Sequence, residues 1–84
     1  MSNFIHHCTI CTEEQYKDFE NGTLKYNIYS ETLVPYHTKS LDENKELVNM
    51  TFKEYQNFIV KHNYEFYKTT KDNIVCFGLI GNYK

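Results

Sequence analysis

The chain contains no arginine; all nine of its cationic side chains are lysines. Arginine is the usual planar fork for phosphate, carboxylate and guanine, so its absence argues against phosphoryl chemistry and nucleic-acid recognition. The formal charge of −2 has the wrong sign for a nucleic-acid binder and is too small for bulk mimicry of a nucleic acid. Alanine and tryptophan are also missing, glycine occurs three times and proline once. Lys, Asn, Tyr, Ile and Phe dominate instead, all encoded by AT-rich codons, which points to a phage or mobile element as the origin. Cysteine is scarce and odd in number, three in all, which excludes a disulfide framework and fits reduced thiols. Asn21–Thr23 and Asn49–Thr51 match the glycosylation pattern only by chance on this reading. The longest apolar run, Ile74–Ile80, is far shorter than the ~20 residues of a membrane helix. No basic region followed by an apolar stretch opens the chain, so a cytoplasmic protein with no membrane partner is expected. With 84 residues, one domain spanning residues 1–84 is expected.

What is present begins with two matching helix starts, CTEEQYKDF (Cys11–Phe19) and MTFKEYQNF (Met50–Phe58). Each offers a Thr N-cap with Gln15 or Glu54 three residues later, the capping-box spacing. Each also sets an apolar residue before the cap, Cys11 or Met50, against Tyr16 or Tyr55 in the first turn, the spacing of a hydrophobic staple. Gly22 and Asn63 stand where left-handed C-caps belong.

Extended patterns surround the helices. FIHHCTIC, TLKYNIY, NYEFYKT and NIVCFGLIG read as strands, and Thr70–Asn73 as a turn. Between Ser30 and Asn49 the third strand is either residues 32–37 or residues 45–50. A capping box at Ser40–Glu43 also allows one long helix from Leu41 to His62. The resulting β-α-β-β-α-β order with an extra C-terminal strand predicts an α+β, ferredoxin-like two-layer sandwich, two helices on one face of an antiparallel sheet.

The segment HHCTIC (His6–Cys11) raises the question of a metal or redox site. Structural zinc needs four tetrahedral ligands, but no second close pair follows, and residues three apart on a strand point to opposite faces. A thioredoxin-type pair belongs at a helix start, whereas Cys8 and Cys11 precede the cap. The segment is therefore read as a strand, with Cys11 a small apolar staple residue. No metal ligand and no cofactor are assigned. Cys76 reads as inert core, His62 as a carbonyl cap at a helix end, and Glu13, Glu14 and Asp18 as a solvated face favoured by the helix dipole. Gly78–Gly81 lacks the lysine of a phosphate loop.

The distinctive excess is aromatic: six Phe and eight Tyr, 17% of the chain. Alternation directs Tyr16, Tyr26, Tyr55 and Tyr64 inward and leaves Tyr29 and Tyr67 on the other side of the sheet, with Tyr36 and His37 in the long connection. Tyrosine is favoured at interfaces for its contact area and hydroxyl. With no nucleophile–base pair at usable spacing, the expectation is a small non-enzymatic binding protein, an inhibitor of a host enzyme by analogy of size and composition. Its protein-binding residues would be Tyr29, Tyr36, His37 and Tyr67, with Lys25 at the rim. A homodimer through the same face is the other outcome. The alternative reading is a small zinc- or nucleic-acid-binding regulator using Cys8 and Cys11.

Overall fold

In the computed structural model, residues 4–82 are described. Both capping boxes form. Helix α1 (Glu13–Asn21) starts with the Gln15 N–H donating to Thr12 Oγ1 at 3.1 Å and the Thr12 N–H donating back to Gln15 Oε1 at 2.9 Å. Helix α2 (Phe52–Lys61) repeats the exchange between Thr51 and Glu54 at 3.2 and 2.9 Å. The residues at the staple positions, Cys11, Tyr16, Met50 and Tyr55, are all buried in the one core cluster. Gly22 ends α1 at φ 91° and Asn63 follows α2 at φ 60°, the left-handed conformation that releases a chain from a helix.

Six strands complete the described elements: β1 (Phe4–Thr12), β2 (Leu24–Asn27), β3 (Thr32–Pro35), β4 (Asn49–Met50), β5 (Glu65–Lys71) and β6 (Ile74–Asn82). The chain is an α+β protein with two antiparallel three-stranded sheets, ordered β1-β6-β5 and β3-β2-β4. The expected ferredoxin-like arrangement on one sheet is not what these pairings describe. Strand β6 pairs with β1 along its whole length, from Phe4↔Asn82 to Thr12↔Ile74. It takes β5 on its other side through a two-residue hairpin turn at Asp72 and Asn73, φ 51° and 66°, the handedness of a type I′ turn. The middle of the chain is left to pair with itself.

Each candidate for the third strand contains one, β3 within residues 32–37 and the two-residue β4 at the end of residues 45–50. They flank β2, with Leu24↔Pro35 on one side and Tyr26↔Met50 on the other. The long helix from Leu41 does not form. The Asp42 carboxylate accepts from the Asn44 and Glu46 N–H groups at 2.8 and 2.9 Å, and Lys45 turns at φ 63°. This Asx-type turn competes with the helix and sets Val48 and Met50 into the core. The helix start belongs to Thr51 alone.

The core between the sheets and helices is largely aromatic. Phe19, Tyr26, Tyr55, Phe77, Leu79 and Val75 are fully buried. The Tyr26 and Tyr55 rings lie 4.6 Å apart, and Phe19 stacks on Phe77 at 5.8 Å, separations typical of attractive aromatic pairs. No helix of the described residues is long and apolar enough to cross a membrane.

Burial, ahead of the nearby carboxylates and thiols, pushes the Tyr16 and Tyr26 hydroxyls up to about 12 from an ordinary 10. The folded protein therefore keeps protons that the unfolded chain releases above pH 10, so stability held below that pH falls as pH rises toward 12. Tyrosinate absorbance is expected to appear together with loss of circular dichroism; smooth titration of these tyrosines in a folded chain would contradict their burial. The Tyr55 hydroxyl is buried without a hydrogen-bond partner among the described residues. Tyr55→Phe is accordingly expected to leave denaturant stability unchanged or raise it by about 1 kcal/mol, since no partner is orphaned.

Candidate functional site

Alternation along β1, β6 and β5 sorts their side chains into two faces. Inward go Ile5, His7, Thr9 and Cys11 on β1, with Val75, Phe77 and Leu79 on β6. Outward go His6, Cys8 and Ile10, opposite Ile80, Gly78 and Cys76, while Tyr67 and Thr69 lie alongside on β5. Both helices pack on the inner side, against the core. Among the described residues, no element covers the outer face, where Ile10 is 70% exposed and Ile74 45%.

The other sheet is different. The outward side chains Lys25, Asn27 and Asn49 hold the long connection against it. Lys25 Nζ donates to the Thr38 carbonyl at 3.2 Å and to Ser40 Oγ at 2.8 Å, and the Asn49 amide donates to the Lys39 carbonyl. Asn27 joins the set through its amide, which donates to Asn49 Oδ1 at 2.7 Å. One outer face is thus roofed by its own loop and the other is bare.

Tyr67 lies across the middle of the bare face. Its hydroxyl donates to the His7 carbonyl at 2.9 Å, and His6 Nε2 is 3.0 Å away on the same oxygen, positioned to donate as the Nε2–H tautomer. Desolvation, followed by the contact with the Cys8 thiol, raises the Tyr67 pKa, so the proton stays on the phenol. Gly78 makes room for this arrangement. A Cβ there would sit 1.8 Å from the His7 carbonyl oxygen and 2.9 Å from the Tyr67 hydroxyl. Beside it the Cys8 and Cys76 sulfurs approach to 3.1 Å.

The residues singled out from sequence do not form one patch. Tyr67 is half-buried on the bare face. Tyr36, 59% exposed, stands edge-on to His37 at 5.7 Å beyond the end of β3. Lys25 is half-buried and pins the roofing loop. Tyr29, 67% exposed, donates its hydroxyl to Asp42 Oδ2 at 3.3 Å. It also edges an open groove of about 850 Å³ that includes His7, Lys61, His62 and Tyr64. In that groove the exposed His62 ring stacks on Tyr64 at 5.4 Å; it stands at the end of α2 as expected, but its ring packs on aromatic neighbours and caps no carbonyl among the described residues.

HHCTIC is a strand that divides its soft side chains between two faces. Cys8 is outward and exposed, and Cys11 is inward and buried. Burial, with a smaller contribution from Cys76, raises the Cys11 thiol pKa. The two cysteines cannot share an ion from opposite sides of a sheet. Sequence reasoning missed Cys76 and His6 as members of the outer-face cluster. Only the register Cys8↔Gly78 brings β6 beside β1 in this way, and no local pattern encodes that register.

No protein-family model, no curated protein and no solved structure matches this chain.

Gly78→Ala is expected to destabilise the fold by about 3 kcal/mol or more, because backbone and not a flexible side chain blocks the added methyl. Tyr67→Phe should cost about 1 kcal/mol through its lost hydrogen bond to His7. Urea melts of the two variants check the order; a Gly78→Ala protein within 0.5 kcal/mol of the parent, roughly the surface-substitution range, would mean that β1 and β5 do not close over this glycine.

Proposed function

We propose that this chain is a non-enzymatic binding protein that docks on another protein, with the bare outer face of the β1-β6-β5 sheet as its main contact. The observation that supports the reading is the contrast between the two sheets. One carries its own roof of loop residues, whereas the other leaves Ile10 and Ile74 exposed around Tyr67. A centre of Ile, Tyr and Cys with charge kept to Glu65 and Lys71 at the ends of β5 has the composition of an interface core with a polar rim. Tyr29, Tyr36 and His37, with Lys25 behind them, are secondary contacts on other sides of the molecule.

The polar groups on the face engage one another, the His6 ring with Tyr67 and the Cys8 thiol with Cys76. That engagement favours a recognition surface over a catalytic one. A lysine-only, weakly anionic chain favours a protein partner over a nucleic acid. The narrower version, a phage or mobile-element inhibitor of a host enzyme acting in the cytoplasm, rests on size and composition alone. A zinc-dependent regulator built on Cys8 and Cys11 finds no support in side chains that diverge.

The paired substitution Ile10→Asp and Ile74→Asp is expected to abolish retention of the partner recovered with the parent chain from its source cells. Lys53→Glu, on the exposed side of α2, should leave that retention intact. The measurement is quantitative affinity capture, with circular dichroism to check folding and light scattering to read mass. Unchanged retention by the folded double variant would refute the assignment of this face. A parent chain whose mass is that of a dimer, reverting to monomer in the variant, would replace the outside partner with a second copy.

A further inference from the structure

The outer face holds a second feature, independent of what docks there. Cys8 lies directly opposite Gly78, and Cys76 is two residues along the same strand, so both thiols stand on the same side of the sheet on a diagonal. Gly78 has no side chain to separate them, and the sulfurs meet at 3.1 Å. Cys8 is exposed and Cys76 half-buried, while Cys11, the remaining cysteine, is buried on the opposite face.

We infer that Cys8 and Cys76 form a redox-active dithiol that low-molecular-weight disulfides, such as glutathione disulfide, convert into a reversible cross-strand disulfide. The exposed Cys8 thiolate attacks one sulfur of the oxidant, whose other half leaves as a thiolate. The mixed disulfide on Cys8 then lies within reach of Cys76. The Cys76 thiol gives up its proton, attacks Cys8 Sγ and expels the second half. Two protein thiols and one small disulfide become one protein disulfide and two small thiols, with two electrons passing to the oxidant. The hydrogen bond with Cys8, ahead of burial, holds the Cys76 pKa up, consistent with Cys76 acting second.

The diagonal placement also sets how firmly the bridge holds. Diagonal neighbours on antiparallel strands have Cα atoms roughly 7–8 Å apart, whereas disulfides span at most about 6.8 Å. Closing the bond therefore draws β1 and β6 together locally, and a bond made under such strain is readily reduced. The pair thus belongs with labile, regulatory disulfides and not with structural ones.

The test is to incubate the reduced full-length chain with glutathione disulfide, alkylate, and measure intact mass and a peptide map. The expected product is a monomer lighter by two hydrogens, with the Cys8 and Cys76 peptides joined, Cys11 alkylated only after unfolding, and the bond reopened by reduced glutathione. Cys11→Ser should form the same bridge, and Cys8→Ser or Cys76→Ser should stop at a mixed disulfide on the remaining outer thiol. A parent chain that stops at mixed disulfides, links Cys11, or couples between molecules would overturn the inference. The parent map alone decides it, even if a variant does not fold.

Discussion

The rest of the structure depends on the antiparallel pairing of the chain's two ends. β1 and β6 are joined over nine residues each, Phe4↔Asn82 through Thr12↔Ile74. This contact is among the most non-local available to the chain, and its loop-closure entropy is offset by inward residues that reach the core from both strands. With β6 seated on β1, the β5–β6 hairpin follows, and α1 and α2 have a surface to cap. The central segment must then find its own partners, which is why a second sheet forms around β2.

The aromatic core explains how so few residues enclose an interior. Tyr16, Phe19, Tyr26, Tyr55 and Phe77 form a contiguous set of ring contacts, and each ring buries more area than an aliphatic side chain. Tyrosine in this role keeps its hydroxyl wherever the fold can find it a neighbour. Tyr26 lies 3.5 Å from the Thr9 hydroxyl, which itself donates to the Glu31 carbonyl at 2.8 Å. Thr9 and the Cys8 N–H, bonded to Glu31 Oε1 at 3.2 Å, tie the edge of one sheet to the hairpin turn of the other. Tyr55 goes without a partner among the described residues, evidently tolerable because its ring contacts outweigh one orphaned hydroxyl.

The two sheets differ in how they are covered. The outward residues of β2 and β4 are amides and a lysine, and they hold a loop over their sheet. The outward residues of β1 and β6 are, apart from His6, largely apolar or sulfur-bearing, and no loop of the described residues covers them. The same face juxtaposes Cys8 and Cys76, so the proposed binding surface and the proposed redox pair share one location.

Much of the local structure was legible in the sequence. Thr12–Gln15 and Thr51–Glu54 announced both helices because capping is a contact between residues three apart. Gly22, Asn63 and the Asp72–Asn73 turn marked chain reversals because their φ preferences are intrinsic. Strand alternation directed Tyr26 inward, and the staple spacing did the same for Tyr16 and Tyr55 on their helices. Two sheets in place of one, and two strands where one was expected between Ser30 and Asn49, were decided by pairings between distant segments. The meeting of Cys8 with Cys76 and of Tyr67 with Gly78 was decided in the same way. Residue identity sets what each segment can do alone, whereas the register of β1 on β6 exists only once the two ends of the chain have come together.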